Sequence, residues 1–396
     1  MKVIEGGVTA PQGFLAGGIH CGIKKNTRRD LALIYSQVPA SAAGVFTTNK
    51  VCAPPVRVSR KHLQNLRAQA IIAASGCANA CTGEKGLEDA LSMTRVTAEA
   101  LGILQSDVLV ASTGPIGTLL PIDKVSRGIR HLAEKISDHG SEEAAAGILT
   151  TDLVTKSIAV SVFLGGKEVR IGAIAKGSGM IRPKMATMFC FITTDAAVDE
   201  HYLHCILVKG VEKTFNCIDV DGDTSTNDTV FCLANGMAGN EILAGRDANS
   251  LVFEKALEFV MFEMAKAIVR DGEGATKLIE VEVRGAKTEE DAQRVCVAVC
   301  DSKLVKCAMY GESPGWGRVM AAIGYSGAEV REDHIDIYFG KKKIVKNGIA
   351  NDMSRKDIRP LLKPKELKVL IDLNVGRKKA VMWTCDLSHK YIDINL

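Results

Sequence analysis

The residues best able to do chemistry in this 396-residue chain lie in Lys176-Gly-Ser-Gly-Met-Ile-Arg-Pro-Lys-Met-Ala-Thr-Met-Phe-Cys-Phe-Ile-Thr-Thr-Asp195. A Gly-rich loop leads through Pro183 into Met185-Ala-Thr-Met188 and then into an apolar, β-prone run, which puts Thr187 at the head of a strand. A threonine hydroxyl is a weak nucleophile without a neighbouring base. Cutting the chain before it supplies one, because the new α-amino group titrates near about 7.7–8.0 and can take the hydroxyl proton. Ala186 is small enough to leave its carbonyl open to attack by that same hydroxyl. Taken alone, the pattern also fits a threonine that only packs or caps where a strand begins.

Other motifs fail on chemistry. Gly311-Glu-Ser-Pro-Gly315 has the spacing of a serine-hydrolase elbow, but Pro314 follows the serine and has no N–H for an oxyanion hole, so the stretch reads as a turn. Asp219, Asp221 and Asp223 imitate the start of a calcium loop, yet Thr224 and Val230 stand where such a loop needs Gly and Glu. Gly177-Ser-Gly179 lacks the third glycine of a dinucleotide fingerprint, with Arg182 in its place. The pairs Cys77/Cys81 and Cys296/Cys300 have C-x3-C rather than zinc-ribbon spacing. They, and His201, His204 and Cys205 on a helix, read as packed thiols and solvated imidazoles, so no metal site is expected.

The elements that must position these residues alternate between strand-like and helix-like patterns, which implies a mixed α/β architecture. Gln69–Ala74 and Val108–Ser112 read as buried strands, with Leu87, Leu91, Thr94, Ala98 and Leu101 at helical spacing between them. Ser157–Phe163 and Glu168–Ala175 flank Gly165-Gly166 as a hairpin. Leu257, Met261, Met264 and Ile268 share one face of a helix. A second domain is expected near residue 280, after Asp271-Gly-Glu-Gly274, giving domains 1–280 and 281–396 packed around a cleft.

Composition narrows the function classes. With 50 Lys and Arg against 46 Asp and Glu, the net charge of +4 is too small for phosphate-backbone binding, and the basic residues read as forming no block. Aromatics at 5% argue against base-stacking platforms. No apolar run approaches the ~18–20 residues of a membrane span, and no secretory signal is recognised at the start. A cytoplasmic protein is expected, its 12 cysteines reduced.

The Thr187 stretch resembles the self-cleavage and nucleophile motif of the ornithine acetyltransferase family of arginine biosynthesis, whose members are also glutamate N-acetyltransferases. Further motifs fall in the family's order: Gly7-Val-Thr-Ala-Pro-Gln-Gly-Phe14, Asp30-Leu-Ala-Leu-Ile34, Ala42-Ala-Gly-Val-Phe-Thr47, Ser112-Thr-Gly-Pro-Ile-Gly117, Asp221-Gly-Asp-Thr-Ser-Thr-Asn-Asp228, Trp316-Gly-Arg318 and Cys385-Asp-Leu387. The resemblance implies an α/β (mixed α+β) fold and self-cleavage between Ala186 and Thr187. Chains 1–186 and 187–396 then assemble as an α2β2 heterotetramer. It implies acetyl transfer from N2-acetyl-L-ornithine to L-glutamate through an acetyl-Thr187 intermediate, without metal or organic cofactor. Members with and without acetyl-CoA as donor share these motifs, so that point stays open.

By the same resemblance Thr113 and Gly114 form the oxyanion hole. Substrate meets Thr187, Lys176, Glu273, Asn395 and one of Thr150 and Thr151, which the motif does not separate. Three departures stand out. The family's Asn-Ser-Gly-Asn reads Ala74-Ser-Gly-Cys77, and its Asp-Pro-Asn-Trp-Gly-Arg reads Ser313-Pro-Gly-Trp-Gly-Arg318. The family pattern also runs a few residues past the matched asparagine to a substrate-contacting Thr or Ser, whereas only Leu396 follows Asn395 here, so the expectation is either weak acetylornithine binding or a gap filled by a partner-chain segment or solvent. Two alternatives use the same residues: a self-processing amidase that passes its acyl group to water, and a non-enzymatic amino-acid-binding protein with an inert Thr187.

Overall fold

Apolar runs without polar alternation fold as strands covered on both faces. The computed structural model, which describes residues 1–182, 188–245 and 247–396, carries nine strands in its first sheet, of which β5, β8 and β9 below are buried along their whole length. They are β1 (Lys2–Ile4), β2 (Phe14–Ile19), β3 (Leu31–Phe46), β4 (Arg67–Ser75), β5 (Val108–Thr113), β6 (Lys156–Leu164), β7 (Lys167–Lys176), β8 (Phe189–Thr194) and β9 (Thr229–Ala234). The order is β1-β6-β7-β8-β9-β3-β4-β5, with β2 added on β3. Pairs β4–β5 and β8–β9 are parallel and the others antiparallel. Along β4 and β5, Ala70, Ile72, Val108 and Val110 enter one apolar cluster, while Ile71, Ala73, Leu109 and Ala111 enter another. That two-sided burial is why the sequence shows continuous apolar runs here.

The β6–β7 hairpin turns at Gly165-Gly166, both at positive φ, as the sequence predicts. Helix Ala248–Arg270 buries Leu257, Met261, Met264 and Ile268, also as expected. Helix Gly83–Leu101 differs. It buries Ala90, Met93, Thr94, Thr97 and Ala98, and leaves Leu87 and Leu91 40% and 38% exposed. The helix lies where the spacing predicts it, with Met93 and smaller side chains on its inner face.

The chain divides into two compact units. The first comprises Met1–Ser178, Lys184–Asn216 and Thr224–Ile268; the second comprises Gly179–Pro183, Cys217–Asp223 and Val269–Leu396. Residue 280, the expected boundary, lies inside β10 (Leu278–Ala286) of the second unit's sheet. That sheet continues with β11 (Asp336–Phe339), β12 (Lys342–Lys346), β13 (Ile349–Ala350), β14 (Glu366–Asp372) and β15 (Lys378–Cys385), in the order β13-β12-β11-β14-β10-β15. Here one face only is apolar: Ile279, Val281, Val283, Val369 and Ile371 enter the core, and Glu280, Glu282, Arg284 and Lys368 alternate outward.

That outward face corrects the reading of an even charge distribution. Residues 341–379 hold thirteen Lys and Arg against four Asp and Glu. Among them Lys368 is neutralised by Glu280 and Glu282 and Lys343 by Asp336 on the sheet. Among the described residues, no helix is long and apolar enough to cross a membrane.

Candidate functional site

In the first unit, β5 ends at the buried Thr113, and its backbone carbonyl accepts the N–H groups of Gly76 (2.8 Å) and Cys77 (3.0 Å). The next residue, Gly114, has φ +138°, and an added Cβ would stand 2.5 Å from the Cys77 nitrogen. Only glycine fits that approach. A strand end thus presents a hydroxyl and an adjacent backbone N–H, the donor types that stabilise a developing oxyanion.

Lys176, at the end of β7, is 2% exposed, and its ammonium donates to the Thr113 hydroxyl oxygen at 3.4 Å. Asp152 organises the groups around it. Its carboxylate accepts from Lys156 Nζ (2.7 Å), the Gly177 N–H (2.7 Å) and the Thr150 N–H (3.0 Å), and it lies 4.0 Å from Lys176 Nζ. Burial opposes ionisation, but the Lys176 and Lys156 charges and these donors hold the carboxyl well below its ordinary range. Thr150 is therefore tied into the cluster, whereas Thr151 is exposed.

Three more residues belong to this unit's cluster. Asn227 Nδ2 donates to the carbonyls of Ala78 and Ser112, both at 2.7 Å, fastening the loop after β4 to the end of β5. Asp228, fully buried just before β9, accepts the Met188 N–H at 2.9 Å. Lys24 donates to the carbonyls of Arg29 and Leu149, both at 2.7 Å, and burial lowers its ammonium to about 8 against the attraction of Asp30. Ala186 and Thr187, with Pro183, Lys184 and Met185, lie outside the described residues.

The second unit holds a separate cluster. Glu273 is buried in the Asp271–Gly274 turn and accepts from Asn395 Nδ2 at 2.7 Å. A Cβ on Gly179 would meet the Glu273 carboxyl carbon at 2.5 Å, so glycine lets the backbone lie against that carboxylate. Helix His389–Asn395 is seated on this turn, with Ser388 Oγ donating to the Gly274 carbonyl at 2.6 Å. Asp221 accepts the N–H groups of Met180 (2.5 Å) and Ile181 (3.0 Å) and the Tyr391 hydroxyl (3.4 Å). Burial pushes its carboxyl up to about 6 in spite of those N–H bonds.

The structure thus brings Thr113, Gly114, Thr150 and Lys176 together in one unit and Glu273 with Asn395 in the other. Sequence reasoning missed Asp152, Lys156, Asn227 and Asp228 as site architecture. Asp152 sits one residue past the Thr150–Thr151 pair, and Asn227 and Asp228 end a motif already singled out. The rejected calcium pattern is instead structural: Asp221 holds the 180–181 segment, and Asp219 pairs with the buried Lys306 at 2.9 Å. The turn at Gly311–Gly315 leads into helix Trp316–Tyr325. Cys296 and Cys300 are buried on a helix, and among the described residues no cluster of His, Cys, Asp and Glu suits a metal ion.

Comparison with known proteins matches residues 15–396 to the ArgJ family. The arginine biosynthesis bifunctional protein of Symbiobacterium thermophilum is 49% identical over 397 residues, covering 100% of this chain and 99% of that protein. The protein of the same name from Dehalococcoides mccartyi is 46% identical over 393 residues, covering 99% and 96%. A crystal structure of the Bacillus halodurans protein of that name is 42% identical with a TM-score of 0.50, covering 52% of this chain and 97% of that one.

Proposed function

This chain belongs to the ArgJ family, an acetyltransferase family of arginine biosynthesis, and we propose that it moves acetyl from N2-acetyl-L-ornithine to L-glutamate through Thr187. After cleavage between Ala186 and Thr187, the new α-amino group takes the hydroxyl proton as Oγ attacks the acetyl carbonyl. The tetrahedral oxyanion is received by the Thr113 hydroxyl and the Gly114 N–H. Collapse breaks the amide C–N bond, and ornithine leaves with the proton on its amine. The glutamate amine then attacks the acetyl-threonine ester, giving N-acetylglutamate and restoring the hydroxyl. Acetyl-CoA, as a second donor, would deliver acetyl to the same oxygen with a thiol as leaving group.

The observation that carries this reading is the strand-end pair Thr113–Gly114 with the buried Lys176 ammonium against Thr113. A fixed cation beside an oxyanion donor suits acyl transfer, and Lys176 also suits a substrate carboxylate. Thr150 is the better-supported substrate threonine because Asp152 anchors it. Glu273 offers a carboxylate for a substrate ammonium, with Asn395 beside it. The 186- and 210-residue chains would stay together as α2β2 in the cytoplasm, with no cofactor in the chemistry.

Intact-mass spectrometry of the purified protein tests this. The expected result is two chains split before Thr187, with one acetyl mass added to the 210-residue chain on exposure to acetylornithine without glutamate. Thr187→Ala should run as one full-length band. Label on the 186-residue chain, or cleavage persisting in Thr187→Ala, would overturn the reading.

A further inference from the structure

Asp386 stands one residue past β15, in the motif Cys385-Asp-Leu387, and is almost wholly buried. At that end the β10–β15 ladder stops at the pair Leu278–Cys385, and beyond it the two segments part. One leads back to the Asp271–Gly274 turn that carries Glu273, the other on into helix His389–Asn395. Backbone N–H groups past the end of a ladder need another acceptor. Asp386 supplies it: Oδ1 accepts the N–H groups of Thr276 and Lys277, both at 2.8 Å, and Oδ2 accepts the Thr276 hydroxyl. A Cβ on Gly274 would stand 2.6 Å from the Tyr391 nitrogen, so turn and helix run in close contact just beyond this tie. A seven-residue helix is well short of the ~12–15 residues that hold together alone, so such anchors decide where it sits.

We propose that Asp386 is a positioning residue that sets which side chain the acetyl donor can carry. The proposal rests on the reading of Glu273 as the carboxylate that meets a substrate ammonium. N2-acetyl-L-ornithine carries one ammonium, at the end of its side chain. A carboxylate selects for that group best when it is held in place before the ligand arrives. Three contacts hold Glu273 and its turn. Asn395 donates to the carboxylate at 2.7 Å, and Ser388 Oγ donates to the Gly274 carbonyl at 2.6 Å. Asp386 takes the two N–H groups three and four residues past Glu273. The first two contacts come from helix His389–Asn395 and the residue before it, and Asp386 ties the root of that helix to the turn. Losing Asp386 therefore loosens both sides of the cluster at once. Asp386 acts through Glu273 and Asn395 and does not touch the acetyl donor.

The test measures selectivity between acetyl donors in the full chain: kcat/KM for N2-acetyl-L-ornithine divided by kcat/KM for N2-acetyl-L-norleucine, in which a methyl group replaces the ammonium. The parent should favour acetylornithine by about a hundredfold or more, as sites built around a hydrogen-bonding group do. Asp386→Ala should cut that ratio about tenfold, the effect of orphaning buried N–H groups. Asp386→Asn keeps an oxygen for the two N–H groups and gains an amide N–H that can donate to the Thr276 hydroxyl, so it should recover most of the ratio. Thr276→Val removes only the hydroxyl contact and should lower the ratio about threefold, which keeps the test open if Asp386→Ala does not fold. Equal losses for both acetyl donors would mean a purely structural role and overturn the proposal, as would Asp386→Asn no better than Asp386→Ala. If Glu273→Gln left the ratio unchanged, the reading of Glu273 would fall instead, so the two failures are distinguishable.

Discussion

The clusters in the two units are built in opposite ways. Around Asp152 the carboxylate, Lys156, Lys176 and Thr113 are all buried, two lysines oppose one carboxylate, and the backbone of β5 and β7 fixes the geometry. Around Glu273 the partners come from a seven-residue helix whose outer side is exposed, and the contacts are single hydrogen bonds. Rigid preorganisation suits groups that meet a transition state, while a short, exposed helix suits groups that recognise a ground-state ligand. On the proposed reading, the difference predicts that the Thr113–Gly114 pair of the first cluster acts mainly on kcat and the second cluster mainly on KM.

The largest expected effects come from breaking the first cluster. Gly114→Ala forces a Cβ to within 2.5 Å of the Cys77 nitrogen at a φ that side chains rarely adopt. Moving the oxyanion donor should lower kcat and self-cleavage by about a hundredfold or more. Asp152→Ala removes the carboxylate that Lys156 Nζ bonds and Lys176 Nζ lies beside, which should cost about 3–5 kcal/mol in denaturant unfolding and lower kcat in the folded fraction. If either variant raised KM alone, the contrast between the clusters would fail.

How far this contrast was legible in the sequence follows from what fixes each part. The two-sided strands β4 and β5 showed as continuous apolar runs, and Thr113 and Gly114 could be placed at a strand end. Lys176 and Glu273 were found through motif resemblance, because a lone charged residue in a Gly-rich turn has no periodic signature. Asp152 escaped because its role depends on bringing β7, the 149–152 loop and Lys156 together, which no local spacing encodes. The helix through Leu87 and Leu91 was legible from its spacing, but not which of its residues turn inward: hydrophobicity ranks leucine above alanine and threonine, whereas close packing favours the smaller residues. The second unit takes in Gly179–Pro183 and Cys217–Asp223 from far upstream, and nothing in composition marks those excursions.

A pH titration sharpens the description of the second cluster. The Asp221 carboxyl is raised to about 6 from an ordinary 3.8, so the folded state holds this proton more tightly than the unfolded chain. Its contribution to stability is fully present below about pH 4 and is lost as pH rises through about 6. Denaturant unfolding of the parent should show that loss as about 1–2 kcal/mol, less than the full shift because the group is partly solvated. Asp221→Asn should remove this part of the slope between pH 4 and 6. An identical slope in the variant would mean that other groups carry it.

The smallest effect separates two ways in which Asn395 can work with Glu273. Its Nδ2 already donates to Glu273 Oε2 at 2.7 Å and is steadied by a 2.9 Å contact to the Tyr391 carbonyl. If Asn395 holds the carboxylate in place for an incoming ammonium, its loss lets Glu273 relax and weakens binding. If it instead occupies the position that the ammonium needs, its loss helps binding. Glu273 has two oxygens with several lone pairs, and Asn395 uses one of them, so room remains for a second donor. The first arrangement is therefore expected. Asn395→Ala should raise KM for acetylornithine about fivefold to tenfold, the effect of one part-exposed, charge-assisted hydrogen bond, with kcat within about twofold. A fall in KM would show that Asn395 competes with the substrate, and the second unit's cluster would then have to be read as closed in the free enzyme.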